Sequence, residues 1–287
     1  MVIPAFVWML IFSYAPMYGV LIAFKEYNVG LGVWNSPWVG FKYFRELLSD
    51  PYFINSLRNT LFFSFIKLIF GFPVTMLFAL MLNELTHVNG YKRVVQTVSY
   101  MPYFLSWAFV ASFLITITSD SGLLNSIAVS LGLTAKPVAF LGETTSFIWI
   151  ILLSDVWKSF GYGSIIYLAT MTSIDPQQYE AAIIDGSNRF QRIWHITLPG
   201  IKPTAVMLLI LAISNMINTN FEQFYLLKNP MNADWSRVID VYTYEIGLQK
   251  GRFSFGTAVG VFKSVVSFVL LYTANSTSRR LTGESIF

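Results

Sequence analysis

The sequence predicts an all-α polytopic membrane protein with about six transmembrane helices and a polar helix in the connection between the fourth and fifth. Three observations carry this. Of the 287 residues, 55% are hydrophobic and only 12% are charged, where a soluble domain carries about 25% charged residues. Six apolar segments, roughly 2–24, 60–82, 94–118, 147–171, 201–225 and 256–275, have the length needed to cross about 30 Å of hydrocarbon at about 1.5 Å per residue. None alternates polar and apolar residues as barrel strands do. No internal repeat, low-complexity run or soluble linker divides the chain, so residues 1–287 read as one transmembrane domain.

The first segment begins MVIPAFVWML and has no basic residue before Lys25, so it reads as a span rather than a secretory leader. Long connections follow at 25–59, 119–146 and 226–255. They carry the turn signals Asn35-Ser36-Pro37 and Asn229-Pro230 and the interfacial tryptophans Trp34, Trp38 and Trp235. The connection 83–93 is short. Six spans place both ends on one side. Lys and Arg number seven in about 54 residues on the side of loops 83–93 and 172–202 and the C-terminal tail, against nine in about 93 on the other. The bias favours cytosolic termini, with 172–200 on the same side.

Composition also excludes functions. There is no cysteine, hence no disulfide and no thiolate site. The two histidines, His87 and His195, are far apart and both read as loop residues, which argues against a shared metal site. A net charge of +4 fits loops facing lipid headgroups better than a nucleic-acid surface. No G-x-x-x-x-G-K-[ST] phosphate loop is present; the nearest stretch, GTAVGVFKS from Gly256, lacks the Gly-Lys step. The chain is therefore expected to bind no cofactor and to catalyse nothing itself.

The connection 172–200 is unusually well punctuated. Asp175-Pro176-Gln177-Gln178 opens a helix, with Asp175 as cap, Pro176 at the first position and Gln178 at the place of a capping-box partner. Gly186 ends it. Ser187 is placed to cap a second short helix through Phe190 and Ile193, and Leu198-Pro199-Gly200 to break the chain before the fifth span. Tyr179, Ala182, Ile183 and Gly186 share one face by spacing. A helix this short is marginal alone. An interfacial helix on lipid would present Lys or Arg; this one presents Glu180 and Asp185, which argues for a protein partner.

Glu180-Ala181-Ala182, three residues, Gly186, nine residues, then Ile196-x-Leu198-Pro199 resembles the EAA signature of membrane subunits of binding-protein-dependent ABC importers. Tyr14-Ala15-Pro16-Met17-Tyr18-Gly19, Tyr100-Met101-Pro102-Tyr103 and Phe221-Glu222-Gln223 resemble the carbohydrate-uptake branch, in particular permeases for pectin- or alginate-type oligosaccharides. The resemblance implies a multi-pass protein of the bacterial cytoplasmic membrane whose EAA loop is a coupling helix. Tyr179, Glu180, Ala181, Ala182, Asp185, Gly186, Ile196, Leu198 and Pro199 would then couple to the ATPase. It implies as partners two cytosolic ATPase subunits that hold ATP and Mg, a second homologous permease in a heterodimer, and an extracytoplasmic solute-binding protein.

Ionisable groups within spans are costly and usually functional. Lys67, Asp155, Lys158 and Lys263 are such groups; Asp155 and Lys158, at i and i+3, either neutralise each other or face a path. Trp157, Lys158 and Tyr162 in the fourth span, Asn215, Asn218, Asn220, Glu222 and Gln223 in the fifth, and Lys263 in the sixth are the candidate substrate-path residues. For each asparagine, a hydrogen bond between helices is the competing reading. Lys158 and Lys263 would favour an acidic sugar. Tyr100 and Tyr103 flank a Pro102 kink. The connection 226–255, with Asp234, Trp235, Arg237 and Asp240, either meets the binding protein or is a solvated loop. A stand-alone secondary transporter, an intramembrane enzyme and a non-sugar cargo are the competing functions.

Overall fold

The computed structural model describes residues 2–85 and 89–283. The protein is an all-α polytopic membrane protein. Its elements are α1 (Val2–Phe24), α2 (Lys42–Ser49), α3 (Pro51–Glu84), α4 (Asn89–Tyr100), α5 (Trp107–Thr118), α6 (Leu123–Ser130), α7 (Thr144–Met171), α8 (Pro176–Ile184), α9 (Arg189–Ser214), α10 (Phe221–Leu227), α11 (Ile239–Thr243) and α12 (Phe253–Thr282).

Five helical stretches are long and apolar enough to cross a membrane: Val2–Phe24, Pro51–Glu84, Trp107–Ser130, Arg189–Ser214 and Phe253–Arg280. The fourth expected span, α7, is 28 residues long but falls short in apolarity. Asp155, Lys158 and several Ser, Thr and Gly residues interrupt it.

Two expected spans are drawn differently. The stretch 94–118 is not one helix. It is α4, a 3₁₀ turn Met101–Phe104 and α5, because Pro102 removes a backbone donor and Ser106 starts α5 by accepting from Phe109 N at 3.2 Å. The stretch 201–225 ends at Ser214. Residues 215–220 form a turn, and Asn220 caps α10 by accepting from Gln223 N. Asn215, Asn218 and Asn220 therefore lie at a helix end, where asparagine competes best for backbone groups.

α3 is the axis. Asp50 caps it through Tyr52 N at 2.8 Å, with Pro51 in the first turn. At 34 residues it spans about 50 Å, so its ends leave the hydrocarbon. It packs in parallel with α7, and small residues let the two approach: a Cβ on Gly163 would sit 3.0 Å from Thr75 Cγ2. Three apolar clusters follow α3 from end to end. They centre on Phe53 with Tyr242 and Phe255, on Phe63 with Phe147 and Phe224, and on Leu80 and Leu82 with Tyr167 and Ile201.

The connection 226–255 is neither a solvated loop nor irregular. Val238, Ile239, Val241 and Tyr242 are fully buried. The segment is pinned by Asn59 to the Asp234 carbonyl at 2.5 Å, by Asn232 to the Leu141 carbonyl at 2.9 Å and by Tyr242 to Asp50 at 2.5 Å. Burial, together with the Asp50 hydrogen bond, holds the Tyr242 hydroxyl protonated far above the usual phenol range. Glu245 takes both Lys228 and Arg237. Burial, and then the Arg237 charge, pulls the Lys228 ammonium below the ordinary lysine range. Trp235 meets Phe62 edge to face and lies under Arg58. Arg237 and Asp240 thus serve internal ion pairs, and are not free contacts for a partner.

Candidate functional site: a polar cavity and a capped helix

The capped helix is built from local signals. Asp175 Oδ1 accepts from Gln177 N at 3.0 Å and starts α8. Gly186 adopts φ +79°, Gly186 N donates to the Ile183 carbonyl and Ser187 N to the Ala182 carbonyl, which closes the helix end. Ser187 does not cap the next helix. Its hydroxyl bonds the Ala182 carbonyl at 2.6 Å, and Asn188 with Gln191 forms the capping box. The helix does not break at Leu198-Pro199-Gly200 either. A π-turn over Ile193–Thr197 absorbs the donor lost at Pro199, and α9 runs on to Ser214. His195 lies in that turn, not in a loop; His87 lies outside the described residues.

The Tyr179 hydroxyl meets Thr197 at 2.9 Å, and Thr197 is buried. This bond ties α8 onto α9. Leu198 and Ile174 pack into the cluster around Tyr167. Pro199 is exposed and Ile196 half-buried. Outward stand Ile184 at 85% exposure and Phe190 at 83%. Glu180 and Asp185 are exposed and enter no ion pair among the described residues. A cleft of about 540 Å³ runs beside α8, with Glu84, Lys92, Glu180, Arg189 and Arg192 on its walls.

Between α3, α7 and the end of α9 lies a second cavity of about 460 Å³, with Lys67, Asp155, Ser159, Asn215, Asn218 and Asn220 on its walls. Lys67 Nζ donates to Asp155 Oδ1 and to Gln223 Oε1, each at 2.8 Å. Gln223 is fully buried and donates to the Ile151 carbonyl at 2.8 Å and to Ser154 Oγ at 3.0 Å. One network thus joins α3, α7 and α10.

Several expected path residues lie elsewhere. Lys158 and Asp155 do not neutralise each other. Lys158 is buried and donates to the carbonyls of Pro102, Tyr103 and Leu105, at 3.2, 2.7 and 2.5 Å. Lys263 is paired with Asp240 and is not a free cation. Trp157 lines an apolar recess with Phe113 and Leu153 on the other face of α7. Tyr162 stacks on Tyr103 at 4.0 Å, outside the cavity wall. Glu222 is exposed on α10. Lys67 and Asp155, span residues expected to face a cavity or a partner, are the charged wall residues. Their equal depth in two parallel spans is the signal that could have paired them.

An all-helical multi-pass protein with a polar cavity between its spans and a rigid helix displayed on one connection is a transport permease. The chain belongs to the family of binding-protein-dependent transport system inner membrane components, matched over residues 47–282. That is a family of transport permeases, and not of catalysts. The chain is 43% identical to the protein LplB of Bacillus subtilis over 288 residues, covering all of this chain and 90% of LplB. It is 41% identical to the polygalacturonan/rhamnogalacturonan transport system permease protein YteP of the same organism, covering all of this chain and 89% of YteP. Among solved structures it is similar to a chain of a bacterial ABC transporter involved in the import of the acidic polysaccharide alginate. The TM-score there is 0.89 and the identity 40%, covering 98% of this chain and 94% of that one. The broken span 94–118 is a feature that a stand-alone secondary transporter would share; the family membership takes precedence over that likeness.

Proposed function

We propose that this chain is the transmembrane subunit of an ATP-driven importer that carries an acidic oligosaccharide from an extracytoplasmic binding protein across the bacterial cytoplasmic membrane. The observation that carries the coupling part is α8. It is capped at both ends, tied to α9 by Tyr179, and exposes Ile184, Glu180 and Asp185, the two carboxylates without an ion pair among the described residues. A rigid lever on an uncovered surface transmits a partner's motion to the spans. In this reading Glu180, Ala181, Ala182, Asp185 and Gly186 dock in a cleft of a cytosolic ATPase, while Ile196, Leu198 and Pro199 hold the lever to α9. Two such ATPases bind ATP and Mg, and a second, homologous permease completes a heterodimer. Both termini lie in the cytosol. The cargo follows from the names of the relatives, YteP and the alginate importer, together with the polar cavity. Asn215, Asn218 and Asn220 offer it the planar amides that sugar hydroxyls bind.

The test is purification of the intact complex from membranes, with and without Glu180→Lys. The wild-type protein is expected to bring down an ATPase that carries a phosphate loop. The reversal is expected to reduce that ATPase at least tenfold while the partner permease stays bound. Equal recovery in both would remove α8 from the coupling role.

A further inference from the structure

The geometry points to Lys67 as the residue that sets the preference between acidic and neutral sugars, with Asp155 as the group that holds it in place and tempers its charge. The inference rests on the proposed cargo reading. Lysine carries three N–H donors. Two are committed, to Asp155 Oδ1 and Gln223 Oε1. The third remains; the ammonium also lies 5.3 Å from the Phe224 ring centroid, and the side chain forms part of the cavity wall beside Asn215, Asn218 and Asn220. Lys67 is the cation and Asp155 the carboxylate among the described residues of that wall.

The other lysines expected to attract an acidic cargo are spent elsewhere. Lys158 serves three backbone carbonyls, and Lys263 serves Asp240. Asp155 Oδ2 makes no hydrogen bond among the described residues, so the carboxylate holds Lys67 through one oxygen only. A sugar carboxylate entering the cavity can therefore share the ammonium with Asp155 through the unused donor. A neutral hydroxyl can take the same donor with less electrostatic gain. Gln223, fixed by Ile151 and Ser154, keeps the ammonium from swinging into the cavity as a free charge. The pair then grades cargo by charge without binding an acidic sugar so tightly that it cannot leave.

The experiment uses the full complex in proteoliposomes with its own binding protein. It compares uptake of trigalacturonate with uptake of its fully methyl-esterified form. The binding protein's own preference cancels when each acidic-to-neutral ratio is divided by that of the wild type. Lys67→Gln is expected to lower the ratio about tenfold, and Asp155→Asn to raise it, because the ammonium loses its internal counter-charge. Either single change leaves one charge unpaired within the membrane and can impair folding. The double variant Lys67→Gln with Asp155→Asn removes both charges at once, and is expected to lower the ratio as the first does. Ratios within twofold of wild type in Lys67→Gln and in the double variant would overturn the assignment and leave the pair a structural tie. Uptake of neither sugar by the wild type would overturn the cargo reading, and this inference with it.

Discussion

A Gly161→Ala protein is expected to lose much of its folded yield, although the change adds one methyl group. A Cβ at Gly161 would lie 2.6 Å from the Ser99 carbonyl carbon and would overlap the carbonyl oxygen. The obstacle is backbone, so no side chain can rotate out of the way. α4 and α7 would have to separate, and with them the turn Met101–Phe104 that rests on α7. Overpacking of a tight core costs about 1–3 kcal/mol, and a backbone clash belongs at the top of that range. For a chain of this size that corresponds to a fall in Tm of about 5 °C, readable by thermal unfolding in detergent. Gly19→Ala is the control. A Cβ there meets nothing within 4 Å, and alanine is the better helix former by about 1 kcal/mol. If both variants melt with the wild type, the α4–α7 contact is looser than described.

Lys158→Met is expected to be the second severe change, for a different reason. Methionine keeps an unbranched stem of similar length, so packing along α7 is largely retained. What disappears is the ammonium that closes the carbonyls of Pro102, Tyr103 and Leu105. These carbonyls follow the end of α4; that of Pro102 also accepts from Leu105 N, whereas among the described residues Lys158 is the donor to those of Tyr103 and Leu105. A buried acceptor left without a donor costs about 1–3 kcal/mol. The negative end of α4 also loses its counter-charge. The turn should then move, and with it the Tyr103–Tyr162 stack. The chain has no cysteine, so a single Phe104→Cys label reports on that turn. Labelling by a maleimide is expected to change severalfold in the Lys158→Met background, and uptake to fall at least tenfold. Lys158→Arg should not rescue, because a planar guanidinium does not point three donors at one small arc of carbonyls. Unchanged labelling and uptake would mean that the turn stands without the amine.

How much of this was legible in the sequence depends on the range of the interaction. The helices, and the capped start and glycine stop of α8, rest on apolar length and on contacts a few residues apart, and these patterns are written locally. The partners of Lys67, Lys158 and Lys263 are not. Asp155 lies 88 positions from Lys67, and Pro102 lies 56 positions from Lys158. The i, i+3 spacing of Asp155 and Lys158 suggested a local pair, but tertiary partners on other helices outcompeted it. Flanking apolar residues mask the helix end at Ser214, so the pattern alone places the asparagines in mid-span. Pro199 was read as a break because a π-turn, which leaves no compositional mark, lets the helix continue. The cavity wall could be only half seen: Asn215, Asn218 and Asn220 were named, and Trp157 and Tyr162 were turned away by a helical phase that their spacing alone did not fix.

The polar character of α7 bears on how the protein is made. A charged residue at the centre of a lone helix raises the cost of entering the bilayer by about 2.5–3.5 kcal/mol, and α7 carries two. Synthesis runs from the N-terminus, and every group that satisfies those two charges precedes them. Lys67 awaits Asp155, and the carbonyls of Pro102, Tyr103 and Leu105 await Lys158. α7 therefore leaves the ribosome after the groups that meet its two charges, and Gln223 of α10 joins the network later. A chain shortened or reordered so that α7 came before α3 would have to present both charges to lipid alone.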